Sequence, residues 1–164
     1  MYNYIMFETN ILLFNYRRYK LENLNNEFMK ISVIHRAYEE FDEIEKVAEV
    51  KVYRNANLEE NISFANRVTQ NIEGSWSRDK YMPNGDLNSD YNPWINVVKP
   101  LKVDANDKEW GHRSTSEGDV FVLDSGEAYI YARRGLHQID LDKVLKLDSR
   151  DVYIGDKVLA EIKI

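Results

Sequence analysis

The chain has no cysteine in its 164 residues. Disulfides, thiolate metal sites and cysteine nucleophiles are therefore excluded, and a reducing compartment, the cytosol by default, is the expectation. Histidine is scarce: His35, His112 and His137 stand far apart, with neither the HxH nor the HExxH spacing of a metal site. The N-terminus has no basic leader before an apolar run. Its longest apolar stretch, residues 11–14, is far too short to cross a bilayer, so neither a signal peptide nor a membrane span is expected. Only 3 prolines occur, and two of them, Pro83 and Pro93, fall within one stretch, which localises the longest break in regular structure.

What is present is enough for a packed fold. At 43% hydrophobic and 12% aromatic residues, the chain can bury sufficient apolar surface to offset its folding entropy without a staple. Its 28 acids exceed its 22 bases, giving a net charge of −6, an excess that disfavours sequence-independent binding to a polyphosphate backbone. Nothing in the sequence calls for a cofactor.

The pattern along the chain reads as α+β in one domain, residues 29–164, behind an Asn-rich and aromatic extension, residues 1–28. In that extension Leu12, Tyr16, Tyr19 and Leu24 can share one helical face. Residues 30–36 alternate as a buried strand. Residues 39–49, with Phe41, Ile44 and Val47 every third position among acids, predict a short surface helix, followed by a strand over 50–53. Asn57 and Glu60 form a capping box for a helix over 58–72, with Leu58, Ile62, Ala65, Val68 and Ile72 as its buried stripe and Gly74 as its stop.

A long loop over 75–93 leads to a strand at 94–98, and a polar connection over 104–109 precedes a β-rich part that starts near residue 110. There DVFVL and EAYIYA form a hairpin about Asp124-Ser125-Gly126, LHQI adds a strand, residues 141–145 form a helical turn, and VYI and KVLAEIKI predict two more strands. The expected architecture is N-terminal strands with two helices, then a small antiparallel sheet or an SH3-like barrel.

Two segments carry candidate chemistry. In SWSRD, Trp76 can stack on a partner group and Arg78 can meet an anion; the plainer reading makes Trp76 a core residue and pairs Arg78 with Asp79. Tyr81, Tyr91 and Trp94 follow closely and add to the amphipathic aromatics that enrich interfaces. In HRSTSEGD, Arg113 offers a bidentate fork, with His112, Ser114, Thr115 and Ser116 as hydroxyl and imidazole partners for a phosphate or carboxylate. The plainer alternative is a turn whose hydroxyls satisfy main-chain groups and whose arginine makes a structural ion pair. No carboxylate spacing supports a serine nucleophile with His112 or His137 as its base. The Ser-Thr-Ser triplet is similar to that of ADP-ribosyltransferases, but the upstream arginine strand and the downstream catalytic glutamate of that pattern are missing.

Taken together, TQNIEGSWS (69–77) and RSTSEGDVFVL (113–123) resemble a pattern in small uncharacterised proteins of tailed bacteriophages and mobile elements, broadly similar to YodL-type domains. The resemblance covers about residues 30–140. It departs at Glu117, where a small apolar residue is expected. It implies a phage-type accessory protein that binds a host protein and works in the host cell, with no catalytic residues to carry over. Two other expectations stand beside it. One is a small anionic, nucleotide-like ligand, held as a sponge or in an enzyme by Arg113 and Ser114–Ser116. The other is a DNA mimic built on the acidic 39–49 segment.

Overall fold

The computed structural model describes residues 27–36, 44–132, 135–147 and 156–164. Residues 1–26 of the extension, residues 37–43, which hold the first part of the acidic segment, Arg133–Arg134 and residues 148–155, with VYI among them, lie outside the described residues.

Among the described residues, eight strands and three helices follow in the order β1 (Phe28–His35), β2 (Glu45–Tyr53), α1 (Leu58–Val68), β3 (Ile95–Val97), β4 (Lys102–Val103), β5 (Glu109–Trp110), β6 (Val120–Leu123), β7 (Ala128–Ala132), β8 (Gly135–Ile139), α2 (Leu141–Val144) and α3 (Asp156–Ile162). Six strands make one antiparallel sheet in the order β3-β2-β1-β6-β7-β8, and β4 and β5 make a separate small hairpin. The fold is thus α+β. β3 and β8 end the sheet without pairing to each other, so it is open and not the barrel that the density of short strands suggested.

Alternation sorts the sheet's side chains into two cores. Met29, Ile31 and Val33 of β1, Val50 and Val52 of β2, and Phe121 and Leu123 of β6 share one face, against Ile62 and Ala65 of α1 and the indole of Trp76. Val120 of β6, Ala128 and Ile130 of β7, and Ile139 of β8 share the other, under Val144 of α2 and Leu159 and Ile162 of α3. The helices cover opposite faces at opposite ends of the sheet. The other face of β1 and β2 carries Lys30, Ser32, Glu49 and Lys51 between the rings of Phe28 and Tyr53 at one end and Ile34, which packs against the second core, at the other.

Three local expectations are corrected. Residues 45–49 are strand, not helix. The register slips between Val33 and Ile34, where a bulge in β2 turns both Val47 and Ala48 inward, and this breaks the alternation that would have marked a strand. The helix predicted for 58–72 ends at Val68. The buried Thr69 hydroxyl turns back to the Ala65 carbonyl at 2.9 Å, Gln70 Nε2 reaches the Asn66 carbonyl at 2.9 Å, and Ile72 is left 75% exposed outside the stripe. Gly74 is not that helix's stop; a Cβ there would run into the Asn88 side chain, so its role is a close approach. Finally, residues 156–162 are helix. Val158, Leu159 and Ile162 are spaced one and three apart, a helical face that a period-two reading of KVLAEIKI mistakes for a strand.

Candidate functional site

The two sequence blocks meet. They run side by side over the end of the first core and are joined by a seam of hydrogen bonds. Thr115 N–H donates to the Thr69 carbonyl at 3.0 Å, their hydroxyls lie 2.7 Å apart, and Gln70 Nε2 donates to the Thr115 carbonyl at 2.7 Å. Asn71 N–H donates to Ser114 Oγ at 2.8 Å, while its side-chain amide donates to the His112 carbonyl and accepts from Trp76 N–H. His112 N–H donates to Ser77 Oγ at 2.8 Å.

Trp76 lies inside this seam at 1% exposure. Its indole N–H donates to the Arg113 carbonyl at 3.0 Å, and its ring stacks on His112 at 5.7 Å and meets His35 edge-on at 6.1 Å. His35 Nε2 lies 3.1 Å from Thr115 Oγ1, and His112 Nε2 lies 2.9 Å from the Lys99 carbonyl. Both imidazoles are therefore interior hydrogen-bonding groups.

Arg113 forks onto Asp119, with Nη1 to Oδ2 at 2.6 Å and Nη2 to Oδ1 at 2.7 Å. The same guanidinium donates to the carbonyls of Ser114 and Arg36 and to Ser116 Oγ. Asp119, 1% exposed, also accepts from the N–H groups of Arg36 and Ser116. The Ser116–Asp119 turn closes through Gly118 at φ +91°, the left-handed conformation that only glycine adopts cheaply at that position. An external anion at Arg113 would have to displace Asp119 and strand it in the interior. The three hydroxyls of Ser114–Ser116 are spent inside the seam.

The loop that follows Trp76 is wired in the same manner. Asp90 Oδ2 accepts from three consecutive N–H groups, those of Ile72, Glu73 and Gly74. The buried Asn88 amide accepts from Ser75 and Asp90 N–H and donates to the carbonyls of Ser75, Arg78 and Asp79. Tyr81 and Leu87 bridge across the loop tip. On the facing β4–β5 hairpin, the N–H groups of Asn106 and Lys108 and the Trp110 indole hold the Asp104 carboxyl below the usual range.

Between these two rigid units lies an open cleft of about 960 Å³. One wall is residues 77–79 and 81–83; the other is residues 97–101 and 107–109. Arg78 spans it, its Nη2 donating to the Glu109 carbonyl. The lining mixes Tyr81, Met82, Val97, Val98 and Leu101 with three bases and three acids, and Lys99 is paired with Glu45 at 2.7 Å. Of the ten large apolar side chains exposed among the described residues, seven lie between Ile72 and Trp110, so this loop layer is where the described surface is most apolar.

The predicted site residues thus separate. Trp76, His112, Arg113 and Ser114–Ser116 belong to the seam. Arg78 and Tyr81 line the cleft. Tyr91 is exposed outside the cleft lining, and Trp94 packs with Phe28 and Tyr53 on the sheet. Of the acids expected in a DNA-like strip over 39–49, the two among the described residues are ion-paired, Glu49 with Lys30 and Lys46, and Glu45 with Lys99; those at 39–43 lie outside the described residues. The sequence reading missed Asn71, Asn88 and Asp90. For Asn88 and Asp90 the signal is Asx at every second position from Asn84 to Asn92, where Asn84, Asn88 and Asn92 each accept the N–H two residues on; Asn71 stands in no such pattern.

No group of three His, Asp or Glu side chains among the described residues is placed to hold a metal ion, and no helix among them is long and apolar enough to cross a membrane. No known protein family, curated protein or solved structure matches the chain.

Proposed function

We propose that this chain is a binding protein that takes a segment of a partner protein into the cleft between the 76–91 loop and the β4–β5 hairpin, and acts by modulating that partner rather than by chemistry. The observation that carries the reading is the cleft itself. It is a groove of mixed polar and apolar lining at the upper end of the size range of ligand pockets, between two walls each held by its own side-chain hydrogen bonds. Its charges are balanced, which suits the mixed surface of a polypeptide better than a polyanion. Pre-set walls lower the ordering cost of association. The two sequence blocks similar to phage and mobile-element proteins are the ground for placing the partner in a bacterial host, as expected of a host-takeover or counter-defence factor.

The test is a photo-crosslinking amino acid at position 81, with position 117 as an exposed control outside the cleft lining. The chain would be expressed in bacterial cells and irradiated. A discrete protein adduct from position 81, lost when Arg78→Ala is added, is the expected result. Adducts from 81 no different from those at 117 would overturn the reading.

A further inference from the structure

The face of β1 and β2 opposite the first core is not a plain solvated face. Phe28 stands opposite Tyr53 in the register, and Trp94, the residue before β3, completes a cluster of three rings. The ring centroids are 4.8 Å (Phe28–Tyr53), 5.3 Å (Phe28–Trp94) and 5.5 Å (Tyr53–Trp94) apart. Phe28 is the inner member, its ring capped by the Lys51 ammonium at 4.1 Å; Tyr53 is the outer one, 55% exposed.

The next row on this face is Lys30 opposite Lys51, about 7 Å along the strands, as two residues of extended chain dictate. Beyond it Ser32 stands opposite Glu49, and then Lys46 opposite Ile34, whose side chain packs against the second core. Glu49 is the acid among these side chains. Its carboxyl is bonded to Lys30 at 2.8 Å and to Lys46 at 2.6 Å, and these amines hold its pKa at about 2. The side chains of Lys30 and Lys46 remain 66% and 42% exposed. Arg54, at the edge of the row, is neutralised by Asp124.

We infer that this face binds single-stranded nucleic acid, bases stacking on Tyr53 and Trp94 and phosphates meeting Lys30, Lys46 and Lys51. The charge complementarity is local: three lysines against one already-paired glutamate, in a chain whose net charge is −6. Fields are screened within about 10 Å at ordinary salt, so a polyanion at the surface meets the patch and not the average. A base has a π-face that accepts an exposed ring without a pocket, and the lysines beside the ring cluster stand where the backbone of a strand stacked on it would run. A duplex, with its bases stacked inside, could use only the lysines. None of these residues lines the cleft, so this surface and the proposed protein-binding cleft stand or fall separately.

The experiment is fluorescence polarisation of the purified full chain with labelled oligo-dT and oligo-rU of about twelve nucleotides, a common footprint for such surfaces. Each would be run between about 50 and 200 mM salt, with circular dichroism confirming that every variant is folded. Binding of one or both oligomers is expected, the stronger arm telling DNA from RNA. Tyr53→Ala should weaken it by about five- to 150-fold, the loss of one stacked base. The triple variant Lys30→Gln, Lys46→Gln, Lys51→Gln should flatten the salt dependence by about 2 in the slope of log K against log salt, the share of three single-strand phosphates. No binding of either oligomer at the lower salt would overturn the inference. So would binding that neither variant weakens, equal affinity for a duplex of the same length, or equal Tyr53-dependent affinity for polyglutamate, which would mark an acidic-polypeptide site instead.

Discussion

In the paired centre of β1 and β6, the side chains that hold the structure are Ile31, Val33, Phe121 and Leu123, and what joins them is apolar contact across a regular ladder. A few ångströms beyond, between residues 69–77 and 112–119, the contacts are of another kind. Thr69, Asn71, Thr115 and Asp119 bond to main chain and to one another across about forty residues of sequence, and Trp76 is the large apolar side chain enclosed by them. The ladder needs only a pattern of residue types and tolerates exchange among similar apolar side chains. The seam needs particular donors and acceptors at particular places, and a missing one leaves a buried group without a partner. A segment built in the second manner is costly to alter yet holds the adjoining cleft walls in one geometry.

Breaking the seam at Trp76 should have the largest effect. Trp76→Ala removes a buried indole and its bond to the Arg113 carbonyl, and about 3–5 kcal/mol of stability should go, measured by urea unfolding. Trp76→Phe, which keeps most of the ring but not the N–H, should cost distinctly less. Asn88→Ala comes next, at about 1–3 kcal/mol, because its one amide serves the Ser75 and Asp90 N–H groups and the Ser75, Arg78 and Asp79 carbonyls together. Hydrogen exchange should rise at Ser75 and Asp90, whose N–H groups the amide binds, before the sheet opens.

A smaller effect belongs to the second core. His137 Nε2 is buried with no hydrogen-bond partner among the described residues; burial first, and the Lys163 ammonium second, push its pKa below the usual 6.5. The imidazole is therefore neutral in the folded chain, and the unfolded chain takes up the proton more readily. Stability should be at its full value above about pH 6.5 and decline as the pH falls through that value. Unfolding at pH 7.5 and 5.5 should show this, and His137→Leu should flatten the difference. Smallest of all is Tyr81→Ala. That ring is 60% exposed, so stability should change by no more than about 0.5 kcal/mol, while binding at the cleft is lost.

The same contrast explains what could be read in the sequence. The β6–β7 hairpin was legible because VFVL and AYIYA are short β-branched and aromatic runs on either side of a turn at Asp124-Ser125-Gly126, and the α1 cap because Asn57 is an Asx residue, which bonds to the Glu59 N–H two residues on. The bulge at Val47 hid the first half of β2, residues 45–49, since one extra inward residue erases the period on which a strand is recognised, while 50–53 was read as strand. The last helix was misread because a short run rich in apolar residues satisfies both periods. The seam was only half legible. Arg113 with Ser114–Ser116 was recognised as a cluster of strong hydrogen-bonding groups, but its partners, Asp119 apart, lie at positions 36 and 69–71, and no local pattern names them. The cleft was legible on the Arg78 and Tyr81 side alone; its other wall, residues 97–101 and 107–109, carries no motif.

The central claim, that Arg113 is scaffold and Arg78 is site, is tested most directly by melting Arg113→Ala and Arg78→Ala side by side with the unaltered chain. Removing Arg113 strands the Asp119 carboxylate in the interior at a cost of about 3–5 kcal/mol, which for a chain of this size lowers Tm by about 6–20 °C. Removing Arg78 deletes one bond at the open cleft and should lower Tm by less than about 4 °C. An Arg78→Ala loss as large as that of Arg113→Ala, or an Arg113→Ala chain that melts with the unaltered protein, would contradict the account.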